Sequence, residues 1–491
     1  MTSRCLRLMV CCCLAMAMGT VQKSAAIPAS ATSELQNGIT LLQAGKYSEA
    51  RQEFLVEIRR NPSSAESFFY LGMAEFNLHN LAAAEKALRR ALDLDPRSGS
   101  VLYNLGVLLL EQKKPKEAIR YLGKASEIGP QNPELAINLV RAYLDNGQKH
   151  EALGIMKSAR LRYGADPAFD LTLGKVFLSH GLTAQARETL QAANQAAPAQ
   201  PEIVLPLAEA CLQQVDVRAA REALASIKQS SQNDAEYHFL LAQSCFLSNE
   251  KQQALAEIDR AAALSPENPL YLLSQARYYQ KYGDQEKAVS ILSNAERLAP
   301  DLPDIPYSLA VSYFIADDFG QAIYYVAQAL RIDPKDDRAL FLLGISLFAK
   351  NKLTEAQERL DQAIRLKPHN AFYQCFEGML LTSDSRDAAA EQRFQSALAI
   401  DPSYALAHYQ LGRIYDRSAR YAEARQQLEK AVALDPELTE AYWLLHHAYL
   451  RLGEKDKARE ALATFHSRQA VEYDERQEIL RRAQQSVQTA P

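Results

Sequence analysis

The chain has 491 residues, 23% of them charged and 48% hydrophobic, and a formal net charge of −4. That composition excludes a disordered polymer and fits a chain that buries a core. No long basic run or basic helical face occurs, which argues against a nucleic-acid binder.

The N-terminus differs in character from the rest. Arg4 and Arg7 give a basic start, Leu8 to Val21 is apolar and uncharged, and Ser24-Ala25-Ala26 offers small residues for a cleavage site. This three-part order predicts a secretory signal peptide over 1–26. Its 14-residue apolar stretch is short of the roughly 20 residues a spanning helix needs. Cleavage is expected after Ala26, with Ala31 as the second site, and residues 27–33 form a lead-in. Loss of Arg4, Arg7 and Lys23 leaves a mature chain near −7. The expected location is periplasmic or secreted, with no membrane span once the signal is removed. Four cysteines (Cys5, Cys11, Cys12, Cys13) leave with the signal. Cys211, Cys245 and Cys375 are too few for a disulfide framework, and free, buried thiols are expected.

Prolines then mark a period. Pro62, Pro96, Pro130, Pro198, Pro266, Pro300, Pro334, Pro368, Pro402 and Pro436 share one 34-residue register, with Gly164 and Gln232 at the two skipped marks. With Ala31 as position 1, thirteen repeats run from 31 to 472 without a break in phase. Position 20 is alanine throughout, from Ala50 to Ala458. Position 8 is Gly or Ala except at Val140 and His446, and position 24 is always apolar. Position 27 is mostly Ala.

Small at 8, Ala at 20, large at 24, small at 27 and Pro at 32 resembles the tetratricopeptide repeat (TPR) family. Residues 403–436, SYALAHYQLGRIYDRSARYAEARQQLEKAVALDP, follow its consensus closely. The resemblance implies an all-α, right-handed superhelical solenoid of about thirteen helix-turn-helix repeats, with helix A of each pair on the concave side. Small residues at 8 and 20 are expected to let the two helices approach, and Pro at 32 to end helix B. Residues 473–491 leave the repeat; Ile479, Ala483 and Val487 place one apolar stripe on a charged helix, which predicts a C-terminal cap.

Catalytic and cofactor motifs are missing from the sequence: no HExxH, phosphate-binding glycine loop, GxSxG or mature-chain CxxC occurs. Adjacent His446 and His447 point about 100° apart on a helix, a poor start for a metal site. A non-catalytic binding protein without cofactor is therefore expected. In the TPR family, ligands meet helix-A positions 2, 5, 9, 12 and 13. Here position 5 is never Lys, so the clamp that holds chaperone tails is not expected, and only Asn104 and Asn138 match the asparagine ladder of TPR glycosyltransferases. Repeats nine to eleven place Tyr307, Val311, Phe314 and Ile315, then Phe341, Ile345, Phe348 and Ala349, then Phe372, Cys375, Met379 and Thr382 at these positions. An apolar and aromatic trough is expected there, flanked by Arg277 and Lys281 before it and Arg413, Arg417 and Arg451 after it. Earlier repeats are more acidic, with Glu66, Glu111, Glu134, Asp145, Glu202, Glu209 and Glu236. Such a groove suits an amphipathic protein segment. The sequence thus predicts an interaction scaffold of the bacterial cell envelope. Its alternative is a carbohydrate-binding role in exopolysaccharide export, with polysaccharide stacked on the aromatics.

Overall fold

The computed structural model describes residues 33–129, 133–163 and 166–469. The expected signal peptide, the lead-in up to residue 32, Pro130, Gly164 and the expected cap over 473–491 lie outside the described residues. Among those described, all regular structure is helical, and no helix is long and apolar enough to cross a membrane. Each 34-residue period holds a helix A and a helix B, from Ser33–Gln43 with Tyr47–Arg60 to Thr439–Arg451 with a helix over 455–469. The helices gather in two compact units divided after Ser265, so repeats one to seven form the first unit and repeats eight to thirteen the second.

Three sequence columns explain why each period folds into the same pair. All thirteen position-20 alanines are fully buried. A β-carbon on the glycine at position 8 would meet the side chain at position 24: 2.5 Å from Leu428 for Gly412, 2.6 Å from Phe394 for Gly378 and 2.5 Å from Phe54 for Gly38. The glycine therefore makes room for a side chain of helix B, beyond letting the two backbones approach. The two bulkiest occupants of position 24, Phe54 and Phe394, both face glycines, whereas the repeat with Val140 at position 8 has the flexible Met156 at position 24. Position 15, the turn from helix A to helix B, takes positive φ in every repeat, from Gly45 (74°) through Asn249 (59°) and Asn351 (60°) to Gly453 (82°). Gly, Asn and Asp tolerate this left-handed conformation; Val215 adopts it too, at φ 61°.

Helix A starts where the residue at position 34 of the preceding repeat caps it. Ser64, Ser98, Asp166, Asp234, Asn268, Asp336 and Asn370 all accept a hydrogen bond from a first-turn N–H. Satisfying an otherwise orphaned donor is worth about 1 kcal/mol per cap. Apolar side chains from both helices of a pair, and from the pair that follows, then close the core, as around Leu105, Leu109 and Leu122 in the first unit and Leu411, Leu428 and Leu445 in the second. Cys211, Cys245 and Cys375 are free and buried within it.

Candidate functional site

The second unit carries the expected trough on helix A of repeats nine (Asp304–Ile315), ten (Asp337–Ala349) and eleven (Ala371–Ser383). Each helix is apolar on two faces. One turns inward with Leu309, Leu343 and Leu380 buried, while Val311, Phe314, Ile345, Phe348, Phe376 and Met379 remain half-buried. Phe372 and Ile315 keep 45% and 52% of their surface in solvent, which makes them the lips of the patch.

Its floor is not continuous. Phe341 is only 7% exposed: its ring stacks on Tyr373 at 4.6 Å and meets Phe372 at 5.0 Å and Phe376 at 5.3 Å. It holds the cluster together from beneath, and Phe372 and Phe376 present the cluster outward. Phe314 forms a second group with Phe319, rings 5.5 Å apart. Positions 2 and 12 of one helix lie about 15 Å apart along its axis, so the two aromatic groups sit towards opposite ends of their helices, with Val311, Ile345 and Met379 between. Cys375 and Thr382, placed in the trough by the sequence, are buried. Tyr307 is covered: the Arg338 guanidinium lies 4.8 Å over its ring.

The cations fall into two kinds. Arg277 is 3.3 Å from the buried Asp304, which Arg338 approaches to 3.2 Å while also binding Asp336 at 2.7 Å. This Arg277–Asp304–Arg338–Asp336 ladder crosses repeats eight to ten and ties Arg277 into the framework. Asp336 is held below its ordinary value by Arg338 and two backbone N–H groups, which together outweigh its burial. Arg417 pairs with Asp387 at 2.8 Å, Lys281 lies 5.7 Å from the Tyr282 ring and Arg451 lies over Tyr421 while donating to His447. Arg413 pairs with no carboxylate among the described residues; it sits half-buried beside the Tyr409 hydroxyl, with its Nε buried and unbonded. Of the rim cations, Arg413 therefore has the most to gain from an incoming acceptor.

His446 donates from Nδ1 to the Ala458 carbonyl (2.8 Å) and His447 Nδ1 bonds the Asp416 carboxylate (2.7 Å), so each has its own partner. Among the described residues no group of three or more His, Cys, Asp or Glu could hold a metal ion.

In the first unit Glu111, Glu134 and Asp145 of the wall are engaged. Arg141 joins Glu111 (3.1 Å) to Asp145 (3.9 Å), and His180 closes on Asp145 at 2.9 Å. Tyr103 donates to Glu134 and accepts from Asn138, while Asn104 donates to Ser100 of its own helix. Glu236 feels only the longer-range charge of Lys175; burial, then the charge of Glu236, pushes the Glu209 carboxyl up to about 7. Sequence reasoning found these positions from the helix-A register but not their pairings, which depend on the offset between successive repeats.

Helix pairs stacked in sequence, with small residues at 8 and 20 and proline at 32, define a TPR array. Tetratricopeptide-repeat profiles match residues 35–133, 109–175, 177–244, 313–374 and 385–430, and a TPR-repeat profile matches 420–453. The chain belongs to the tetratricopeptide repeat family, whose repeats serve as protein–protein interaction scaffolds. No curated protein matches the chain in sequence. Among solved structures it is similar to the APC/C hetero-tetramer Cut9–Hcn1, with 14% identity over 85% of this chain and 97% of that one at a TM-score of 0.46. It is also similar to MamA, with 24% identity over 35% of this chain and 94% of that one at a TM-score of 0.31.

Proposed function

We propose that the protein is a non-catalytic scaffold of the bacterial cell envelope, and that helix A of repeats nine to eleven binds an amphipathic segment of a partner protein. The reading rests on one observation above all: Phe372 and Ile315 remain exposed, and Val311, Phe314, Ile345, Phe348, Phe376 and Met379 half-exposed, on consecutive helices whose inward leucines Leu309, Leu343 and Leu380 are buried. Large apolar groups left in water on one face are the usual mark of an interaction surface. The aliphatic share favours a protein ligand, because a sugar site needs hydroxyl-bonding Asp, Asn or Arg between its rings. Export follows from the basic, apolar and small-residue order of residues 1–26.

Crosslinking in the native envelope, followed by identification of what co-purifies, tests the partner class; a lone polysaccharide would replace this reading by the carbohydrate one. N-terminal sequencing should find Ile27, or Thr32, as the first residue of the envelope form. With a partner segment in hand, Phe372→Ala should weaken binding by about 2 kcal/mol with little change in melting temperature. Phe341→Ala should instead lower stability by about 3–5 kcal/mol, since it empties a buried ring site. If Phe372→Ala binds as well as the parent, the ligand lies elsewhere on the array.

A further inference from the structure

Position 7 of helix A is leucine in ten repeats, from Leu71 to Leu445, and in all of them but Leu241 it is buried in the core. Repeat eleven places Glu377 there, and this side chain is fully buried. Arg393 Nη2, from helix B of the same repeat (Asp387–Ile400), lies 3.0 Å from its Oε1, yet neither carboxylate oxygen accepts a well-aligned hydrogen bond. Arg393 is also divided: it donates to Gln374 at 3.2 Å and approaches Asp361, on helix B of repeat ten (Leu353–Leu366), at 3.7 Å. One guanidinium thus serves two carboxylates from consecutive repeats, one of them fully buried. A buried carboxylate held by half a cation is far from the lowest-energy filling of a leucine site.

We propose that Glu377, wedged between repeats ten and eleven and sharing Arg393 with Asp361, makes this junction a proton-operated joint. Protonated, it seats helix Ala371–Ser383 firmly; ionised, it loosens that helix and the aromatic lip it carries. Phe376 is the adjacent residue and Phe372 lies just over a turn away, so motion of this helix changes the exposed patch directly. The inference concerns the stability of the helix and does not depend on any ligand being bound there.

The charged surroundings leave few competing groups. Helix B of repeat ten offers Asp361 and helix B of repeat eleven offers Arg393. On helix A of repeat ten, Asp337 is taken up by the Tyr373 hydroxyl (2.8 Å) and Lys367 (3.2 Å). On helix A of repeat twelve, buried His408 is bonded to Gln427 and the Pro402 carbonyl. Burial, reinforced by the Asp361 charge and opposed by Arg393, holds the Glu377 carboxyl well above the usual carboxylate range. A carboxyl raised on folding contributes stability that is complete below its unfolded value, and loses it as pH rises through the folded value.

Hydrogen exchange of the full chain at pH 5.5 to 8.5, corrected for the intrinsic pH dependence of exchange, reads this directly. Protection of 371–383 should fall as pH rises, by at most about tenfold per pH unit, while protection of 99–111 stays level. Glu377→Gln should flatten the profile, and Glu377→Leu, which restores the column residue, should flatten it at higher protection. A level wild-type profile, or a Glu377→Gln profile parallel to the wild type, overturns the proposal. The wild-type measurement needs no variant, so a misfolded variant cannot conceal the answer.

Discussion

Val215 is the clearest local conflict in the chain. It fills the left-handed turn position at φ 61°, where five other repeats use glycine, and its branched β-carbon crowds the backbone there. Val215→Gly should raise stability by about 1 kcal/mol, read as a higher denaturant midpoint; an unchanged or lower midpoint would show that Val215 contributes packing that offsets its strain. Glu209 is a second such residue. Its carboxyl is raised to about 7 by burial and by Glu236, so it adds stability while protonated, and loses it as pH climbs from about 4.5 through about 7. Glu209→Gln should remove that pH dependence and stabilise the protein at pH 8 by about 1–2 kcal/mol. Thermal melts of both forms at pH 5 and 8 decide it.

At the level of the helix pair, the sequence was legible wherever one residue type repeats for one reason. The alanines at 20, with prolines at 32 in ten of the thirteen periods, place both helices of the repeat, because a backbone contact and a helix stop admit few alternatives. The turn glycines and the Ser, Asp and Asn caps carry signals of the same kind, weaker because several residue types satisfy each. The groove was less legible. Position 5 reads as surface from the register, yet Phe341 is buried by the rings of Phe372, Tyr373 and Phe376, all from the next repeat. Such contacts depend on how far one pair is displaced on the next, which the 34-residue period alone does not encode. The glycine at position 8 gives a direct test of the pair geometry. In Gly412→Ala the new methyl would fall 2.5 Å from Leu428 Cγ, a branch point that cannot swing away cheaply, and the loss should be about 1–3 kcal/mol. An unchanged melt would mean that helix B stands further off than 2.5 Å implies.

At the scale of the whole molecule, stability is a sum over pairs and the junctions between them. In the second unit one junction set is ionic. Arg338→Ala would remove the guanidinium that binds Asp336 and approaches the buried Asp304, and should cost about 3 kcal/mol. Hydrogen exchange should place that loss in repeats nine and ten; uniform protection across them would refute the ladder's contribution.

The same ladders have a consequence for assembly. Thirteen modules with nearly interchangeable cores can dock out of turn, since any helix B offers its alanine and apolar residue to any helix A. Arg277–Asp304–Arg338 and Glu111–Arg141–Asp145–His180 close only when particular neighbours meet. A skipped or exchanged module would take Arg277 or Arg338 away from the buried Asp304. These polar contacts act as addresses written across the seams, and they penalise a chain that folds with its repeats in the wrong order.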